Sequence, residues 1–167
     1  GMANTHRLAV APTKSTALIM GGISEGINPD TAMVYTQRTA AGEVDRINPP
    51  LIDLMKEKGV YTKKHIEEVR DAMGSVQNVD WLDDHEKEVF RNAFEIPQMA
   101  VLTLASQRAQ WLDQWQSLNL FFSAEEDEEY INDVHRAAFL DPNILALYYV
   151  YSRAGVQASK DECLSCM

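Results

Sequence analysis

Along this chain the apolar positions come first in short extended runs, then in helical stripes, and finally in an extended run again. Arg7-Leu8-Ala9-Val10-Ala11 reads as a short buried strand stopped at Pro12, whose fixed φ suits a turn or the first position of a helix. Thr13-Lys14-Ser15-Thr16-Ala17-Leu18-Ile19-Met20 then predicts one or two helical turns ended by Gly21-Gly22. A loop rich in Gly, Ser and Asn leads to Pro29, and residues 33–38 and 43–47, flanking Ala41-Gly42, predict a small hairpin.

Past Asn48-Pro49-Pro50 the period becomes helical. Leu51, Leu54 and Met55 form one stripe up to Gly59; Ile66, Val69 and Met73 form a second after a cap at Thr62; Val89, Phe90, Ala93 and Phe94 form a third. Pro97 opens the longest helix, with Val101, Leu104, Ala105, Ala109 and Leu112 on one face and Trp111 and Trp115 adding bulk. The segment 118–122 reads as a short apolar strand. Ser123-Ala124-Glu125-Glu126 has the form of a capping box for a helix that turns Tyr130, Val134 and Ala138 inward, and the acids at 125–129 suit a helix N-terminus better than a metal site. Asp141-Pro142 breaks that helix, and residues 144–151 form a β-rich run. From Gly155 nothing apolar recurs, so the expected organisation is one compact piece, residues 1–154, and a flexible tail, 155–167. The pattern as a whole predicts a helix-rich α/β protein.

Composition narrows the partners. With 167 residues and a formal charge of -10, the chain suits one domain with a proper core, and its fifteen dispersed Lys and Arg do not form a phosphate-binding surface for nucleic acid. No apolar run approaches the roughly 20 residues of a membrane span and no signal-peptide core stands at the start, so cytoplasm is the expected compartment. That compartment is reducing, and a disulfide there would belong to a reaction cycle.

Three segments carry chemistry. Pro12-Thr13-Lys14-Ser15-Thr16, at a strand-to-helix junction, offers free N–H groups, three hydroxyls and an ammonium to a phosphate, although it also fits a hydroxyl-rich helix cap; it lacks the glycines of a Walker loop. Tyr148 and Tyr149 would point to opposite faces of a regular strand, where core packing buries one and exposes the other, whereas an irregular backbone would let their rings meet and exchange an electron and a proton. Cys163 and Cys166, the only cysteines, form a Cys-x-x-Cys pair behind Lys160-Asp161-Glu162, placed for thiol exchange on a solvated arm. Four scattered histidines, His6, His65, His85 and His135, give no zinc spacing, and no metal site is expected.

In their order along the chain these segments resemble the C-terminal region of the large, catalytic subunit of class I ribonucleotide reductase. Ala11-Pro12-Thr13-Lys14-Ser15-Thr16 and Gly26-Ile27-Asn28-Pro29 are similar to that family's Ala-Pro-x-x-Ser-Thr loop and its continuation. Asp113-Gln114-Trp115-Gln116-Ser117-Leu118-Asn119-Leu120 resembles its Asp-Gln-Ser-Gln-Ser-Leu-Asn element, Leu147-Tyr148-Tyr149 with Arg153 its tyrosine-pair strand, and Cys163-Leu164-Ser165-Cys166 its redox tail. Lys14 and Trp115 depart from the residues usual there.

The resemblance implies the C-terminal portion of a ten-stranded α/β barrel that reduces ribonucleotides to deoxyribonucleotides. It implies that Pro12, Thr13, Lys14, Ser15 and Thr16 hold the phosphates of a ribonucleoside diphosphate. Tyr148 and Tyr149 would relay a radical generated at the metal site of a small subunit, this chain itself carrying no cofactor. Cys163 and Cys166 would pass electrons from thioredoxin or glutaredoxin to an active-site disulfide. With no cysteine outside the tail, the chain is expected to be a fragment completed by the N-terminal portion of the large subunit, inert alone. The competing expectation is a decayed fragment that binds nucleotides or the small subunit without turnover.

Overall fold

The computed structural model describes residues 3–21, 26–39 and 42–153, which form two compact units, one from the segments up to Asn28 and from Ile96 to the end of the described chain, the other from Pro29 to Glu95.

In the Pro29–Glu95 unit, β1 (Val34–Thr39) and β2 (Gly42–Ile47) pair antiparallel with Val34 opposite Ile47 and Thr39 opposite Gly42, as the alternation around 41–42 predicts. Three helices follow, α2 (Pro49–Glu57), α3 (Lys63–Asp71) and α4 (Asp84–Val89). Their starts are written locally. Asn48 accepts the Leu51 N–H while Pro49 and Pro50 occupy positions that need no donor, Thr62 accepts from His65, and Asp83 with Glu86 closes a reciprocal capping box. Met33, Val34, Leu51, Met55, Val69, Val76, Val79 and Leu82 meet as the core. Gly74 is required where it stands: its φ is +77°, and a Cβ there would lie 2.3 Å from the Cβ of Ala32, whose neighbour Met33 donates to the Gly74 carbonyl at 2.9 Å.

The other unit holds α1 (Lys14–Ile19), α5 (Gln98–Ala109), β3 (Leu120–Phe122), α6 (Glu128–Leu140) and β4 (Val150–Ser152). Its strands run parallel. Val10 bridges Gln116, and β3 pairs with β4 in the register Leu120–Val150, Phe121–Tyr151, Phe122–Ser152. The segment 113–122 therefore lies between the 7–10 segment and the 148–153 segment, with α6 as the crossover that parallel neighbours need. β3 is buried at all three positions, as a strand covered on both faces should be. Leu102, Ala105, Leu118, Leu120, Phe122, Val134 and Ala138 form the core between strand and helices.

Several expectations shift here. The stripe at 89–94 is not a helix: α4 starts earlier, at its Asp83 box, and stops at Val89, after which the backbone turns so that Ala93 N–H reaches the Asp30 carbonyl at 2.8 Å. α5 starts after Pro97 but buries Gln98, Leu102 and Ala105, leaving Leu104 exposed, because the helix is apolar on most sides and its period does not select a face. Trp111 and Trp115 are exposed as well. α6 is capped by Asp127, not by Ser123, whose carbonyl instead accepts from Glu126 in a preceding turn. The extended run expected over 144–151 becomes regular strand only at Val150.

Candidate functional site

The 7–12 segment is fixed by Asp113, whose Oδ2 accepts the N–H groups of Arg7 at 2.9 Å and Leu8 at 3.1 Å. Ser117 then donates its N–H to the Val10 carbonyl at 2.8 Å. The chain leaves this strand at Pro12 and enters α1, where Ala17 N–H binds the Thr13 carbonyl and Met20 N–H the Thr16 carbonyl. Pro12, Ser15 and Thr16 are exposed and Thr13 is half-buried, while Lys14 opens the helix.

Gly26 lies against this turn. At φ +83° it would place a Cβ 2.7 Å from the Thr13 hydroxyl, so only glycine allows the approach. Two residues on, Asn28 Oδ1 accepts the Asn119 N–H at 3.4 Å, and Asn119 Oδ1 in turn accepts the Tyr149 N–H at 3.2 Å. The tyrosine backbone is further held by Tyr148 N–H on the Leu118 carbonyl, 2.8 Å, and by Leu120 N–H on the Tyr149 carbonyl, 2.9 Å. A series of short contacts thus runs from the hydroxyl-rich turn through Gly26, Asn28 and Asn119 to the tyrosine pair.

Tyr148 and Tyr149 precede the regular part of β4, and the departure from strand geometry lets both rings turn to one another: their centroids are 4.2 Å apart at 58°. Each is 48% exposed, so neither packs as core among the described residues. The hydrogen bond with Tyr149 raises the Tyr148 phenol above the ordinary tyrosine range, and Tyr149's charge, slight desolvation and Tyr151's charge act in the same direction.

In the sequence Asn28 and Asn119 stand only as members of their motifs. The available signal was a lone polar residue between Leu118 and Leu120 in an apolar run, which asks for a hydrogen-bonding partner. Gln116 answers the same demand structurally: buried, it donates to the Ala105 carbonyl and accepts from Arg108 Nε. Cys163 and Cys166, with the tail expected at 155–167, lie outside the described residues. Among the described residues no cluster of three His, Cys, Asp or Glu could hold a metal, and no helix is long and apolar enough to cross a membrane.

A family model described as the ribonucleotide reductase barrel domain matches residues 1–150. A ribonucleoside-diphosphate reductase large subunit of Invertebrate iridescent virus 3 is 35% identical over 89% of this chain and 24% of its own length. One of Danio rerio is 31% identical over 93% of this chain and 19% of its own. Among solved structures, the class Id ribonucleotide reductase alpha subunit of Actinobacillus ureae superposes with a TM-score of 0.74 at 32% identity, covering 94% of this chain and 27% of that one. The chain belongs to the ribonucleotide reductase barrel-domain family, and its helix-rich α/β fold is part of that barrel. It spans less than a third of the length of the curated relatives it matches.

Proposed function

We propose that this chain supplies the C-terminal part of the catalytic barrel of a ribonucleoside-diphosphate reductase large subunit. The carrying observation is the hydrogen-bonded path Asn28–Asn119–Tyr149, which, with Gly26 against Thr13, brings three segments far apart in sequence into one site. In this reading Pro12, Thr13, Lys14, Ser15 and Thr16 line the pocket for the phosphates of a ribonucleoside diphosphate, through N–H groups and hydroxyls at the start of α1.

Tyr148 and Tyr149 are the last relay stations for a radical made in a metal-containing small subunit. Their adjacent phenols exchange one electron and one proton, so that each step breaks one O–H bond as it makes another. Cys163 and Cys166 accept electrons from thioredoxin or glutaredoxin and hand them to the active-site disulfide that each turnover leaves behind. The chain's own sequence has no cysteine besides these two. The radical-bearing cysteine and the internal reducing pair are therefore contributed by the N-terminal portion of the large subunit, and the complete assembly works in the cytoplasm in deoxyribonucleotide synthesis.

Reconstitution tests this. The chain with a small subunit and dithiothreitol should form no deoxynucleotide, and addition of the N-terminal portion should start turnover. Turnover without that portion, or binding of nucleotide in the full assembly without any turnover, would overturn it, the second result favouring a non-enzymatic binding module.

A further inference from the structure

The register of β4 sets Tyr151 opposite Phe121, and the two rings stack at 5.1 Å and 11°. Phe121 is buried, and its N–H is held by Gln98 Oε1 at 3.0 Å, so Tyr151 lies on a fixed surface. Two residues earlier, the ring of Tyr149 stands 5.7 Å from that of Tyr151 at 47°. Tyr148, Tyr149 and Tyr151 therefore form one series of phenols with Tyr149 in the middle.

We propose that Tyr151 is a third redox-active tyrosine, a branch that takes the oxidising equivalent from Tyr149. The proposal rests on the relay reading above. In the step, one electron and one proton pass from the Tyr151 phenol to the Tyr149 phenoxyl radical: the O–H bond of Tyr151 breaks, that of Tyr149 forms, and the radical moves to Tyr151. The oxidant is the Tyr149 radical itself and no further reactant is consumed. Reactant and product are both a phenol and a phenoxyl, so the exchange lies close to balance and runs in either direction. A hole that Tyr148 is not ready to accept then rests on a ring stacked over buried Phe121 and returns through Tyr149 when the forward path opens.

The test uses the completed enzyme, with the N-terminal portion and the radical-generating subunit present, and 3-aminotyrosine, a more easily oxidised phenol, in place of Tyr151 or, separately, of Tyr149. After mixing with ribonucleoside diphosphate and freezing, electron paramagnetic resonance should show an aminotyrosyl radical at 151, and turnover should fall roughly tenfold or more as the trap retains the hole. The signal at 151 should vanish when Tyr149→Phe is placed in the same chain. A radical at 149 with none at 151 would overturn the branch and leave the relay standing. A signal at 151 that persists with Tyr149→Phe would also overturn it, since the hole would then arrive by another way. No radical at either position would remove the relay, and the branch with it.

Discussion

Tyr148 and Tyr149 touch because the backbone at 148–149 is held in place without being regular strand. Two neighbouring N–H and C=O groups bond to Leu118 and Leu120, and Asn119 takes the N–H of Tyr149 with its side chain. The ring contact has a titration signature. The Tyr149 hydroxyl, by its hydrogen bond and then by its charge, holds the Tyr148 phenol above the ordinary range, so Tyr149→Phe should return it toward the usual tyrosine value. The ring resonances of Tyr148 followed by NMR against pH read this residue alone; an unchanged Tyr148 titration in Tyr149→Phe would break the link. Asn119→Ala should cost about 1 kcal/mol in chemical denaturation, one neutral hydrogen bond, and Asn119→Asp, which keeps the acceptor, should cost less. Both tyrosines and the Asp113–Asn119 motif were legible in the sequence, but the use of Asn119 was not. Its partners lie 91 and 30 residues away, and a single chain read in order does not show which distant N–H a lone asparagine will meet.

At the scale of elements, the starts of helices were legible wherever a capping side chain and a proline or hydroxyl stood next to the first turn, as at Asn48 and Thr62. The start of α6 falls later than the expected box at Ser123. Ser123 and Asp127 both precede the acidic turn, and the chain uses Asp127, whose carboxylate accepts the Glu129 N–H at 3.2 Å beside Glu128 and Glu129 at the positive end of the helix. Asp127→Ala should therefore lower stability by about 1 kcal/mol and Ser123→Ala by distinctly less. Equal losses in denaturation would restore the earlier start. Gly74 has no sequence signature at all beyond its type, since the need for it comes from Ala32, which the fold brings to 2.3 Å from the Cβ position. Both the contact and the positive φ oppose a side chain, so Gly74→Ala should destabilise by more than about 1 kcal/mol, seen as a lowered denaturation midpoint. The face of α5 was illegible for a different reason: Gln98 is buried because it binds the Ile96 carbonyl and the Phe121 N–H, a polar choice that hydrophobic periodicity cannot anticipate.

At the scale of the molecule, the parallel 7–10, 113–122 and 148–153 segments are part of a barrel whose relatives are more than three times as long, and the reaction proposed for it is divided in the same way. In that proposal substrate binding, radical delivery and re-reduction use different residues, so they should fail differently. In the reconstituted enzyme Cys163→Ser or Cys166→Ser should abolish turnover driven by thioredoxin, because a macromolecular donor cannot enter a barrel interior and needs the dithiol as carrier. The same variants should keep turnover with dithiothreitol, which is small enough to reduce the internal disulfide itself. Tyr148→Phe and Tyr149→Phe should abolish turnover with either reductant, since phenylalanine fills the same space and has no phenolic hydrogen to release. Measuring deoxynucleotide formation for the four variants with both reductants separates the roles. Cysteine variants inactive with dithiothreitol would place those thiols in the chemistry at the substrate, and tyrosine variants with full turnover would return the tyrosine pair to packing alone.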